Sequence, residues 1–105
     1  MVYMFLANGF EEVEALAPLD LLRRAGVEVV TVGVTGKTVT GSHGIAVSAD
    51  VSADEALAML KGGKSPEMIV LPGGMPGAAT LDASSVVDTF IDAAKKANAY
   101  IAAIC

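Results

Sequence analysis

Short aliphatic runs recur along the chain at Val2–Ala7, Val27–Val34, Ile45–Ser48, Met68–Leu71 and Tyr100–Ile104. Stretches with helical spacing lie between three pairs of them. Such alternation predicts βαβ units and a mostly parallel sheet, a doubly wound α/β domain with helices on both faces. The first helix is expected over roughly Glu11 to Ala25. Glu11, Glu12 and Glu14 open it, where the helix dipole favours negative charge. Arg23 and Arg24 close it, and Gly26 suits the position just past its end. Val13, Leu16, Leu19 and Leu22 form the stripe expected to face the sheet. Pro18 removes one helical hydrogen bond, so a kink is expected there.

Gly36, Gly41 and Gly44 punctuate the next segment, where Lys37–Thr40 and Gly44–Ser48 suit a β-hairpin-like excursion. A short helix is expected over about Ala53–Leu60, with Ser52 or Asp54 near its start and Gly62-Gly63 at its end. The last helix is expected over about Ser84–Ala97, capped by Ser84 or Ser85, with Val87, Phe90, Ile91 and Ala94 inward. No repeat or linker interrupts the pattern.

Composition narrows the class. The chain has 105 residues, 53% of them hydrophobic and 18% charged, which suits one globular domain and not a disordered one. The apolar runs fall far below the ~18 residues that span a bilayer, so no membrane association is expected. Met1–Ala7 lacks a basic flank and reads as a strand rather than a signal peptide. The net charge is -5 and no basic cluster exceeds two residues. Nucleic-acid binding, which needs a phosphate-neutralising patch, is therefore not expected. A single cysteine allows no internal disulfide and favours a cytoplasmic setting.

In an open parallel sheet, ligands bind beyond the carboxyl ends of the strands. The first strand is followed by Asn8-Gly9-Phe10-Glu11-Glu12-Val13-Glu14, the Met68–Leu71 strand by Pro72-Gly73-Gly74, and the last strand by Cys105. A carboxylate, a bare glycine turn and a thiol thus fall on one edge. A thiolate is a good nucleophile, and a strand-to-helix turn lowers a thiol pKa. The Gly73 and Gly74 N–H groups suit an oxyanion hole, and Glu14 suits proton transfer with the sulfur. Each group also has an ordinary reading: a packed cysteine, a plain turn, a helix-start charge.

Other chemistries fall away. Gly36-Lys37-Thr38 resembles the end of a phosphate loop, but Thr31 stands where that loop needs glycine. No dinucleotide fingerprint follows the first strand, and acidic residues there disfavour flavin, so no cofactor is expected. His43, the only histidine, reads as a surface, hairpin or interface residue. One histidine and one distant cysteine make no zinc site.

Gly9-Phe10-Glu11-Glu12-Val13-Glu14, Pro18-Leu19-Asp20 and Arg23-Arg24-Ala25-Gly26 resemble the opening of the ThiJ/PfpI superfamily. So do Val70-Leu71-Pro72-Gly73-Gly74 and Ile101-Ala102-Ala103-Ile104-Cys105, and the DJ-one-like branch is the nearest in character. The resemblance runs over essentially the whole chain. It implies a flavodoxin-like fold, with residues 1–105 as the N-terminal portion of a single domain ending at the nucleophile elbow. It implies Cys105 as nucleophile, Glu14 as the carboxyl bonded to its sulfur, and Gly74 as an oxyanion donor. It implies a homodimer with the first helix and the Gly41–Gly44 turn near the partner. The implied activity is glyoxalase or deglycase chemistry on small reactive 2-oxoaldehydes. The alternative is an oxidative-stress sensor or chaperone that works by oxidation of the same cysteine. Family chains continue with a further histidine near the thiol, so the rest of the domain is expected as a separate chain.

Overall fold

The computed structural model describes residues 1–105. Five parallel strands form the main sheet, in the order β5-β2-β1-β6-β7. They are β1 (Val2–Leu6), β2 (Val29–Gly33), β5 (Val51–Ser52), β6 (Met68–Leu71) and β7 (Tyr100–Ala103). β3 (Thr38–Thr40) and β4 (Ala46–Ser48) form a separate antiparallel hairpin, with Val39 opposite Val47. The helices are α1 (Glu12–Arg24), α2 (Ala53–Lys61), α3 (Gly77–Asp82) and α4 (Ser85–Lys96).

β1 lies at the centre of the sheet, and all five of its residues are buried. Strand alternation sends its side chains to opposite faces. Tyr3, Phe5 and Ala7 join Ala56, Leu81, Val87, Phe90 and Ala94 beneath α2, α3 and α4. Val2, Met4 and Leu6 join Phe10, Ala15 and Val39 beneath α1 and the hairpin. The Phe90 ring lies 4.6 Å from Tyr3 and 5.0 Å from Phe5, centroid to centroid. Contacts at such spacings add about 0.5–1.5 kcal/mol each beyond area burial.

Local chemistry accounts for the helix ends. Ser52 and Glu55 form a reciprocal capping box on α2, and the Ser84 hydroxyl accepts the Val87 N–H on α4. The Glu11 side chain caps α1 by accepting the Val13 N–H at 2.6 Å.

Three details depart from the expected pattern. Val13 is 70% exposed. It stands about 160° around the helix from Ala15. The inner face belongs to Ala15, with Leu16, Leu19 and Leu22 packed beside it. The main sheet carries an edge strand that no aliphatic run marks, β5, whose two residues are too few to show any periodicity; the Ile45–Ser48 run lies in the hairpin, as expected. α3 was not foreseen, because its six residues Gly-Ala-Ala-Thr-Leu-Asp carry no apolar stripe. α1 is helical through Pro18 from Glu12 to Arg24. The bond that Pro18 forgoes is the one to the Glu14 carbonyl.

The parallel register decides what meets at the sheet's carboxyl edge. Met4 pairs with Val70, and Leu71 with Ala103. The segments after β1, β6 and β7 therefore emerge side by side.

Candidate functional site

Glu14 sits in the first turn of α1 and reaches across to the turn after β6. Its Oε1 accepts the Gly73 N–H at 2.9 Å. The Gly73 carbonyl accepts the Glu11 N–H, also at 2.9 Å. Both backbone groups of Gly73 are thus committed to the start of α1. A Cβ at Gly73 would lie 2.5 Å from Glu14 Oε1 and 2.6 Å from Cys105 Cβ, so only glycine lets the three segments close. At Gly74, φ +99°, an added Cβ would lie 2.5 Å from the Gly9 carbonyl oxygen and from the Glu11 nitrogen.

Cys105 follows β7 with φ +62°, in the left-handed region. A non-glycine residue there carries strain of about 1–3 kcal/mol. Its side chain is exposed. Its Sγ donates to Glu14 Oε2 at 3.2 Å. One carboxyl group therefore holds the glycine turn with one oxygen and the thiol with the other.

The charge of Glu14 has a consequence that reverses one expectation. The site was expected to lower the thiol pKa. Instead the Glu14 hydrogen bond and charge push the Cys105 pKa up, with desolvation and Glu11 adding to it. With Glu14 ionised, the resting pair is a thiol bonded to a carboxylate. Proton transfer from sulfur to Glu14 then yields a thiolate beside a carboxylic acid.

The four expected site residues thus differ in role. Cys105, Glu14 and Gly73 come together. The Gly73 N–H is occupied by Glu14, whereas the Gly74 N–H donates to no protein acceptor. An apolar hollow of about 200 Å³ borders the thiol, lined by Leu71, Pro72, Leu81, Val87 and Ile91 among others. A second of about 400 Å³ lies across β7, between Glu14, Pro18 and Ile104.

Glu12 was read only as a helix-start charge, and its neighbourhood is richer than that. It is 5% exposed, and its carboxylate accepts the backbone N–H groups of His43 and Ile45 at 2.8 and 3.2 Å. The His43 ring Nδ1 lies 3.0 Å from Glu12 Oε1. These bonds outweigh desolvation and hold the Glu12 pKa down at about 2. Glu12 in turn raises that of His43. Ligand atoms of Glu11, Glu12 and His43 lie within 4.8 Å of one another. Glu12 is already met by protein donors and Glu11 caps α1, so the group is a closed ion-pair cluster rather than a metal centre. Three glutamates among four residues at a helix start give no sign of which one turns inward.

No helix is long and apolar enough to cross a membrane. Comparison with known proteins places this geometry. A sequence profile of the DJ-1/PfpI family matches residues 1–105. A Parkinson disease protein 7 homolog from Danio rerio is 36% identical over 103 residues, covering 97% of this chain and 52% of that protein. A deglycase from Pyrococcus horikoshii is 36% identical over 78 residues, 68% of this chain and 47% of its own. The structure of oxidized Toxoplasma gondii DJ-1 superposes with a TM-score of 0.89 at 36% identity, over 99% of this chain and 54% of that one. The chain thus spans about half the length of the relatives it matches, and its sheet with surrounding helices matches their flavodoxin-like fold. By profile, sequence and fold together, the chain belongs to the DJ-1/PfpI family.

Proposed function

We propose that the whole protein uses Cys105 as a nucleophile toward small reactive 2-oxoaldehydes, in glyoxalase or deglycase-type chemistry. The observation that carries this is the 3.2 Å bond between Cys105 Sγ and Glu14 Oε2. A relative named as a deglycase supports the reaction class.

The chemistry follows from the pair. Glu14 takes the thiol proton as sulfur adds to the aldehyde carbon, and the carbonyl electrons move to oxygen. The free Gly74 N–H is the donor available to that oxyanion. Protonation by Glu14 completes a hemithioacetal. Moving the carbon-bound proton to the neighbouring carbonyl gives a 2-hydroxy thioester, and water releases the 2-hydroxy acid and the thiol. One carbon is oxidised and its neighbour reduced, so no external electron carrier is required. Working as a cytoplasmic homodimer, with α1 and the Gly41–Gly44 turn at the partner, completes the proposal.

The test is methylglyoxal turnover by the whole protein and its Cys105→Ala variant. Loss of turnover in the variant is expected; equal rates end this reading.

A second reading rests on the free thiol of the same residue and its bond to Glu14. Peroxide would oxidise the thiolate to sulfenic and then sulfinic acid, each step releasing water. A protonated Glu14 would then donate to a sulfinate oxygen. Peroxide titration followed by mass spectrometry, compared between the parent and Glu14→Leu, tests it. Equal sulfinate yields would count against a role for Glu14.

A further inference from the structure

The turn that links β1 to α1 carries a chemistry that the thiol reaction does not use. The Phe10 N–H donates to the Ala7 carbonyl at 3.0 Å, so Asn8 and Gly9 are the central residues of a tight turn. Gly9 has φ +89°, the sign such a turn asks of its second central residue. Asn8 is exposed. In an asparagine–glycine pair the side-chain amide and the following backbone nitrogen meet with least obstruction, because glycine has no Cβ in the way.

Strand β3 touches both of these groups through one residue. The Thr40 N–H donates to Asn8 Oδ1 at 3.0 Å. The Thr40 carbonyl accepts the Gly9 N–H at 2.8 Å. The first bond polarises the side-chain carbonyl and is aimed at the oxygen on which charge develops when a nucleophile adds. The second holds the Gly9 nitrogen beside it. It has to open as that nitrogen turns to attack, so the rate follows the breathing of β3 against the turn. The other bond of Asn8 is from its backbone N–H to Thr35 Oγ1, which leaves its side-chain Nδ2 with no protein acceptor.

We propose that Asn8–Gly9 is a self-modification site, where deamidation ages the protein by reshaping the loop on which the Gly74 turn rests. The Gly9 nitrogen adds to the Asn8 side-chain carbonyl carbon and gives up its proton, and the bond to Nδ2 breaks with loss of ammonia. Water then opens the cyclic imide at either carbonyl. One opening leaves aspartate; the other leaves isoaspartate, with the backbone running through the former side-chain carbon. Nothing is oxidised or reduced, and water is the only co-reactant. The loop has no slack for a longer backbone. A Cβ at Gly9 would run into the Pro76 ring, one at Gly74 would lie 2.5 Å from the Gly9 carbonyl oxygen, and one at Gly77 3.0 Å from the Gly9 carbonyl carbon. The effect on activity rests on the reading of Gly74 as the oxyanion donor.

The experiment incubates the whole protein, folded and under a thiol reductant, at mildly alkaline pH. The same protein in denaturant and a folded Asn8→Gln variant run beside it. Peptide mapping reads isoaspartate, and the mass gained when oxygen replaces the amide nitrogen, in residues 1–23, where Asn8 is the only asparagine. Asn98, followed by Ala99, is the internal reference. Conversion at position 8 of the folded parent is expected to run roughly ten-fold faster than at position 98. Methylglyoxal turnover is expected to fall in step with the isoaspartate fraction in the parent and to hold in Asn8→Gln. Asparagine still intact at position 8 of the folded parent when the denatured sample has converted overturns the proposal. Isoaspartate at position 8 with undiminished turnover, or equal decay in the parent and Asn8→Gln, overturns the link to the thiol site. Mapping does not involve Cys105, so it stands apart from the aldehyde reading, which fails only if Cys105→Ala turns over methylglyoxal as the parent does.

Discussion

Glu14 spans the gap between Gly73 and Cys105 with a single carboxyl group, its Oε2 lying 3.2 Å from the cysteine sulfur. Glu14 and Cys105 are 91 positions apart in the chain. They meet because β1, β6 and β7 run parallel and release their following segments at one edge. The carboxyl is at once a brace for the glycine turn and a hydrogen-bond acceptor for the thiol.

Removing the acid–base function of that carboxyl is expected to abolish most turnover. Glu14→Gln retains shape and an oxygen for the Gly73 N–H, so melting temperature is expected to change little. Methylglyoxal turnover is expected to fall by roughly 100-fold or more, the usual scale for a lost general acid–base. Steady-state kinetics and a thermal melt of the same sample check both parts.

Gly73→Ala is expected to break the site and lower stability together. The added methyl would sit 2.5 Å from Glu14 Oε1 and 2.6 Å from Cys105 Cβ. Something must shift, and overpacking of this kind costs about 1–3 kcal/mol. Denaturant unfolding gives the stability change, and cysteine alkylation shows whether the thiol has lost its neighbour.

The Glu12–His43 pair is expected to stabilise the fold within a definite pH window. Glu12 is lowered from 4.5 to about 2, so its contribution is present above about 4.5 and is lost as pH falls toward 2. His43 is raised from 6.5, so its contribution is complete below 6.5 and is lost as pH rises through its higher folded value. Stability from the pair therefore peaks between the two unfolded values. Unfolding curves of the parent and His43→Gln across pH are expected to converge on the alkaline side. A difference that persists unchanged there would contradict the assignment.

Phe90→Ala is expected to cost about 3–5 kcal/mol, the range for deleting a fully buried ring. Phe90 is wholly buried against Tyr3 and Phe5, at the centre of the layer beneath α4. Chemical denaturation of the whole protein measures it.

Much of this arrangement was legible in the residues. The β1, β6 and β7 runs, the Ser52 and Ser84 caps and the hairpin around Gly41–Gly44 all carry local signals, and the structure has them. The meeting of Cys105, Glu14 and Gly73 followed from strand direction and the familiar motifs together. Three things were hidden for physical reasons. β5 is too short to show a period. The rotation of α1, which leaves Val13 outside, depends on where Glu12 and Glu14 find partners. The division of labour between the Gly73 and Gly74 amides depends on Glu14 reaching Gly73 first. The upward push on the thiol's pKa comes from the Glu14 carboxyl 3.2 Å away, a neighbour that the helix-start argument leaves out.

The most direct test of the Cys105–Glu14 pair is the pH profile of Cys105 alkylation in the parent and in Glu14→Gln. The account predicts that the parent's reactive limb lies alkaline of an ordinary thiol and moves to lower pH once the negative charge is removed. Coincident profiles, or a shift to higher pH in the variant, would contradict it.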